Sequence, residues 1–407
     1  RDARKSRGLG DVYKRQIMGG DWTLPGVQQI IVDFSERTID NSIAGSFDVD
    51  ATSVNWRIMD DMALRYSEQT AVKAPDLGDL FLPQVTTFST AADPCDYRYR
   101  DVGRNPDVRR ANCDAEGIPV DFVSTVVNAT ASGVTGGNPN LINEVADTVS
   151  TGLVYQPNWW DDVFFGSVQF AVDYIEIQLN DYVTSYSLTQ NMNACYDYET
   201  YPNSQFCDSF TRDGDFQVVD FATGLINAGL IDFATYVWKA DFAFDVAELA
   251  SWVSRENVAM DLGSMAVRWR ATQEDFFASA DSGAAEDLVS ATGQFGNDEW
   301  FWDTAIEWYK GDWYVWVQGN SRSGGVIDAF RQYDDEYLGY DGNPIFEFDG
   351  YTSWNGGVGY SVNDDTTIRV NASNLLDYDG TEADVFTPEA DLLFYGRSVT
   401  ASVNVRF

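Results

Sequence analysis

The sequence has no histidine and only four cysteines in 407 residues. It has few positive charges and no apolar run of the roughly eighteen residues that a membrane-crossing helix needs. Each shortage excludes something. Without histidine there is no Ser-His-Asp triad, no imidazole base and no histidine-ligated zinc. Without a long apolar run no helix spans a bilayer, which leaves the β-barrel as the one membrane architecture still open. Lys and Arg number 26 against 64 Asp and Glu, a formal charge of -38. That balance argues against nucleic acid or anionic lipid as the main partner.

The cysteines fall into two neighbourhoods, Cys95 with Cys113 and Cys195 with Cys207. Four cysteines allow three connectivities, but each pair lies within one polar, turn-rich stretch, so two local disulfides are expected. An oxidising compartment follows. Neither pair has the CxxC spacing of zinc or thioredoxin-like chemistry. The first sixteen residues, RDARKSRGLGDVYKRQ, carry six of the basic residues and no apolar core, so they are not a signal peptide. Asp11–Gln16 reads as a translated sequencing-adapter scar. Residues 1–16 are therefore set aside as an artefact, and 17–407 are read as the protein.

Aromatic residues are plentiful, at 13 Trp, 21 Tyr and 25 Phe. The clearest pattern closes the chain. Val399, Ala401, Val403, Val405 and Phe407 alternate with Ser398, Thr400, Ser402, Asn404 and Arg406, a strand with one greasy and one wet face. Ile368, Val370 and Ala372 repeat it, as do Trp302, Ile306 and Trp308 against Asp303 and Glu307. Charges facing a wet interior and apolar residues facing lipid suit a barrel better than a sandwich, whose inner faces are dry. About thirteen strands are predicted in this way, many as long as the nine to eleven residues of membrane strands. They include separate strands at 216–229 and 231–246. In the strand at 163–182 the apolar phase changes after Tyr174, which predicts a bulge. Long connections are expected at 74–145, 183–215, 273–296, 323–349 and 377–395, with short turns at the other end and no helical domain. The fold class is thus all-β, an antiparallel transmembrane barrel with long extracellular loops.

Several segments resemble the TonB-dependent receptor family. Arg65-Tyr66-Ser67 followed by Val72-Lys73-Ala74-Pro75-Asp76-Leu77-Gly78-Asp79-Leu80-Phe81 is similar to its "YS…RAPNLGELF" run, with Lys73 in place of Arg. Asn138-Pro139-Asn140-Leu141 with Glu144-Val145-Ala146-Asp147-Thr148 resembles "NPNLKPETADT", and Ile142-Asn143 replaces its Lys-Pro. Val172-Asp173-Tyr174-Ile175-Glu176-Ile177 resembles "VDYYDIKI", and Asn374-Leu375-Leu376-Asp377 resembles "NLFD". The family order is kept from about residue 43 to the end. The resemblance implies a partial barrel, about 13 of 22 strands, with the plug and TonB box on a missing N-terminal part. It also implies uptake of a scarce nutrient at the outer membrane of a Gram-negative bacterium, with no enzymatic activity. The partners implied are the TonB complex (through that missing region), the barrel-assembly machinery, outer-membrane lipid and a small-molecule ligand.

Within that reading, Val403, Val405 and Phe407 resemble the terminal signal for barrel assembly, although a lipid-facing last strand accounts for the same residues. Tyr196, Tyr198, Tyr333, Asp334, Asp335, Tyr337 and Tyr340 are candidate ligand-contacting loop residues, with loop packing the commoner role for any one of them. The acidic run Asp334-Asp335-Glu336, near Asp341 and Asn343, offers hard oxygen ligands for Ca²⁺ but lacks EF-hand spacing, and a solvated charge run is the commoner origin. No other cofactor or metal is expected. Asp298-Glu299 and Asp303 with Glu307 match a paired-carboxylate hydrolase site only in residue type. The predicted substrate is a carbohydrate or other organic solute; the alternatives are a ferric siderophore taken up by the same kind of receptor, and a passive porin-like channel.

Overall fold

A computed structural model describes residues 15–16, 26–41, 45–280, 288–294, 296–326, 347–378 and 396–406. Twelve long strands form one antiparallel meander. They are β1 (Gln29–Asn41), β2 (Gly45–Met59), β3 (Met62–Lys73), β4 (Glu144–Tyr155), β5 (Ser167–Ser185) and β6 (Val218–Asp245). The series continues with β7 (Ser264–Ala280), β8 (Trp300–Lys310), β9 (Trp313–Arg322), β10 (Tyr351–Asn363), β11 (Thr366–Ser373) and β12 (Ser398–Val405). Each pairs with the next in chain order. The sheet is not closed: among the described residues, β12 pairs only with β11, and the outer edge of β1 meets only Arg15–Gln16.

Cross-strand partners share a face, so the register sorts the wall into two surfaces. One runs through Leu64, Leu153, Val172, Trp238, Trp269, Thr304, Val317, Val358, Val370 and Ala401. The other carries Arg65, Asp173, Lys239, Asp241, Arg268, Arg270, Asp303, Glu307, Gln318 and Asn371. On the first face the exposure is large and apolar, with Val403 63% exposed. A band of that kind is anomalous in water and natural against lipid tails. On the second face opposite charges pair across strands: Arg270 donates to Asp241 at 2.7 and 2.8 Å, and Arg65 and Arg268 bind Asp173 and Glu307. Aromatic rings cluster at the ends of the apolar band. Trp308 and Trp313 with Tyr360 sit at one end, and Trp302 and Trp354 lie six residues along their strands, about 20 Å away at ~3.3 Å per residue.

Apart from the three-residue link 42–44 between β1 and β2, the connections alternate in length as an outer-membrane wall requires. One end has Asp60-Asp61, Gly311-Asp312 and Asp364-Asp365 as turns, with 156–166 and 246–263 as somewhat longer links. The other has 74–143, 186–217, 281–299, 323–350 and 374–397.

Two expectations need correcting. The strands predicted at 216–229 and 231–246 are one strand, β6, so the described residues hold twelve long strands and not thirteen. Asn227-Ala228-Gly229 has turn composition, but its backbone continues as a bulge: against β5, the register slips on both sides of Gly229. Gly229 lies against the Tyr182 ring, where an added Cβ would come within 3.2 Å. Secondly, no bulge lies at the phase change, since Tyr174 and Ile175 pair regularly with β4 and β6; the extra residue of β5 comes later, at Asn180–Asp181. The phase changes there because the wall rises out of the lipid band, so Glu176 and Gln178 take the outward positions and Ile175 and Ile177 the inward ones. There is no helical domain among the described residues, but the connections hold short helices: α1 (Leu77–Phe81), α2 (Pro106–Glu116), α3 (Trp159–Phe164), α4 (Leu188–Tyr196) and α5 (Val246–Ser254). None is long and apolar enough to cross a membrane.

Candidate functional site

Among the described residues, the buried apolar cluster lies in two of the long loops and the first residues of β6. Residues 91–131 and 186–221 supply Cys95, Cys113, Val126, Leu188, Met192, Cys195, Tyr196 and Phe221. Together these loops form a cap over the rim. Pro106 opens α2, where its missing N–H costs nothing, and Gly117 ends it in the left-handed conformation. Ser187 caps α4 by accepting from the Gln190 amide, with the Gln190 side chain answering.

Two disulfides tie the cap. Cys95 bonds Cys113, joining the first loop segment to α2, and Cys195 bonds Cys207, joining α4 to the chain that leads into β6. Buried ion pairs then cross between the loops. Arg212 donates to both oxygens of Asp93 at 2.8 Å, to the Phe216 carbonyl at 2.8 Å and to the Tyr196 hydroxyl at 3.0 Å. Asp93 also accepts from the Ser124 hydroxyl and the Cys95 amide. Arg109 on α2 donates to Asp197 at 2.5 and 2.6 Å and to Asn193 of α4 at 3.0 Å. Its guanidinium lies so close to Gly103 that any Cβ there would displace it.

The charges respond to this burial. Burial pushes the Asp96 carboxyl up, but hydrogen bonds from the Arg98 side chain and from the Arg98 and Ser124 amides outweigh that and hold it below the usual range. Burial and the neighbouring Glu116 push the Tyr201 hydroxyl up to about 12.

Between the cap and the strand tips lies a cleft of about 770 Å³. Its cap side presents Arg98, Tyr99, Arg104, Thr189, Gln190 and Tyr198; its strand side presents Ser279, Ser290 and Gln294. Arg104 donates to the Tyr198 hydroxyl at 2.7 Å, with its guanidinium carbon 5.5 Å from that ring's centre. Amides, hydroxyls, a tyrosine pair and arginines suit hydrogen bonding and stacking with a polar solute.

Of the candidate residues, Tyr198 lines the cleft. Tyr196 does not: it is 1% exposed, donates to Glu116 and holds the cap together. Tyr333, Asp334, Asp335, Tyr337, Tyr340 and Phe407 lie outside the described residues, as do Glu336, Asp341 and Asn343. Val403 and Val405 face outward on β12. Among the described residues no group of acidic or cysteine side chains is arranged for a metal. Asp303 and Glu307 belong to the charged face of β8, and Asp298 pairs with Arg322. The cleft arginines were not anticipated, although five arginines between positions 98 and 110 of so acidic a chain were a visible signal.

The wall, its two faces and the one-sided loops match the family described as "TonB dependent receptor-like, beta-barrel" over residues 32–375. The chain belongs to the TonB-dependent receptor family. Its receptors are transport proteins of the Gram-negative outer membrane. The fold is also that of the ferric enterobactin receptor of Pseudomonas aeruginosa, with a TM-score of 0.55, 12% identity, and coverage of 94% of this chain and 43% of that one. The siderophore receptor PirA of Acinetobacter baumannii is similar in fold at a TM-score of 0.55 and 12% identity, with coverage of 93% and 43%. The chain thus spans less than half the length of either. No curated protein sequence matches it.

Proposed function

We propose that the chain forms the wall and the ligand-recognising cap of a receptor that imports a scarce polar organic solute, such as a carbohydrate, by TonB-driven transport. The observation that carries this reading is the cleft at the extracellular rim. Its Gln190, Gln294, Thr189 and Ser290 side chains offer donors and acceptors together, as a polyhydroxylated solute needs, and Tyr99 and Tyr198 offer rings to stack on it.

A second reading has its own support. Arg104 over Tyr198 makes a local positive spot, suited to an anionic ring-bearing ligand such as a ferric siderophore, and the two solved relatives above are named for such ligands. The test is uptake by cells that carry the intact receptor gene, supplied with labelled oligosaccharides or ferric siderophores, with and without TonB. Saccharide uptake that needs TonB and falls roughly tenfold (about 1.4 kcal/mol in affinity) in Tyr198→Ala supports the first reading. Siderophore uptake that collapses in Arg104→Ala selects the second. Uptake of either kind that continues unchanged without TonB overturns both and leaves a passive channel.

A further inference from the structure

The wall bears a second built feature, at the end opposite the cap. The connections 156–166 and 246–263 carry α3 and α5, and these do not sit under the lumen. Val168 shares its face with Phe170 and Val172, through pairing with Phe242, Ala240 and Trp238. That is the lipid-facing side, yet Val168 is 1% exposed. α3 covers it: the Trp160 ring packs 4.6 Å from Phe164 and 6.0 Å from Phe242, and its indole N–H donates to the Ala243 carbonyl at 3.0 Å. α5 joins through Trp252, whose ring meets Phe164 edge-on at 5.9 Å. The two helices are therefore folded back on the outside of the wall.

Their outer surface is apolar. Phe165 is 70% exposed, Val253 67% and Trp252 66%, with Trp159 and Met260 exposed as well. Through Phe242, which packs against Trp160, the helices adjoin a groove of about 460 Å³ on the lipid-facing wall, lined by Tyr155, Phe170, Val172, Trp238, Phe242 and Trp269. The charges in and beside the helices are mostly acidic: Asp161, Asp162, Glu248 and Glu256, against the one cation Arg255 at the end of α5. Acidic side chains beside exposed tryptophans repel anionic headgroups and accept from the ammonium group of a zwitterionic one.

We infer that α3 and α5 form an interfacial anchor, lying in the headgroup layer of the periplasmic leaflet and seating a zwitterionic phospholipid whose acyl chain occupies the groove. Continuity with the lipid-facing band selects lipid over protein as the occupant, because a soluble partner would have to cover a surface that already borders the bilayer.

The test places the receptor in phosphatidylethanolamine–phosphatidylcholine vesicles and isolates the Trp252 emission as the difference between wild type and Trp252→Phe. Phenylalanine keeps a ring against Phe164, so the fold is preserved. Brominated phosphatidylcholine with bromine near the glycerol end of the chains is expected to remove most of that emission. Bromine near the methyl end should remove little, aqueous acrylamide should remove little, and salt should change nothing. Trp252→Phe with Val253→Trp moves the probe by one residue and should report the same depth. Quenching by acrylamide without quenching by lipid means that the patch faces the periplasm, and overturns the inference. Protection from both probes means that protein covers the patch, a partner or a second copy, and overturns it equally.

Discussion

Arg212→Met removes the cation at the centre of the cap and leaves the wall untouched. In the intact protein both oxygens of Asp93 accept from Arg212, and the side chains of both are almost wholly buried. After the substitution Asp93 keeps only the Ser124 hydroxyl and the Cys95 amide. Breaking a buried pair by removing one partner costs about 3–5 kcal/mol, because the remaining charge is stranded. At about 1.4 kcal/mol per tenfold, the cap should open roughly a hundred-fold to a few thousand-fold more often. Arg270→Met is the matched control: Arg270 pairs with Asp241 on the charged face of the wall, and both side chains are about a third exposed (36% and 33%), so screening holds the cost to about 1 kcal/mol or less. The assay is amide hydrogen exchange on the membrane-held receptor, comparing 91–131 and 186–217 with strands β8–β12. Arg212→Met should speed exchange in the two loop segments alone. Pairing it with Asp93→Leu, which removes the stranded charge, should restore much of the protection. Unchanged exchange in the cap, or exchange that rises equally in the wall, would refute the assignment of the cap as a separately stabilised unit held by this pair.

The disulfides give a second prediction. Cross-links closing loops of 18 and 12 residues should each contribute about 3 kcal/mol, so Cys95→Ser with Cys113→Ser should expose the cap to protease while the barrel still migrates as heat-modifiable material. A third concerns pH. The Asp96 carboxyl is held below its ordinary value, so its contribution is present above the usual carboxylate range of about 4 and is lost as pH falls through the lower folded value. Protease sensitivity of the wild-type cap should therefore rise below about pH 4, and Asp96→Asn should show that sensitivity already at neutral pH.

The wall was legible because lipid on one side and a wet interior on the other impose a strict period of two on every strand. Ser398–Val405 and Trp300–Lys310 carry that period almost without error. Where the constraint changes, the reading failed. Above the lipid band the outward positions turn polar, and the phase after Tyr174 then looked like a defect. At Asn227–Gly229 a bulge has the composition of a turn, since both need a residue that tolerates close backbone approach. α3 and α5 were missed because Trp159–Phe164 and Val246–Ser254 are too short to show a helical period. The pairing of Arg212 with Asp93 spans 119 residues and no local pattern encodes it. Tyr196 and Tyr198 illustrate the limit, being identical in type, two positions apart and alike in sequence context. The turn of α4 sends one ring into the cap core, and the other, just past the helix end, stands in the cleft.

The cap and the wall are stabilised by different physics, and this bears on how such a receptor can change its ligand. In the wall, backbone groups are satisfied by neighbouring strands and the apolar face by lipid, so no dense interior is required and the described strands contribute few fully buried side chains. The cap has too few residues to stabilise itself by apolar burial alone, and it adds two disulfides and buried Arg–Asp pairs. Of its lining residues, Gln190 also caps α4, whereas Arg104 and Tyr198 present their side chains to the cleft from that scaffold. Substitutions there can alter hydrogen bonding to a solute at little cost to the scaffold, whereas Arg109 and Asp197, which also touch the cleft, cannot vary singly without stranding a buried charge. If the cleft binds the solute as proposed, ligand specificity is free to vary at its exposed polar and aromatic positions and is constrained where the lining doubles as the cap's own framework.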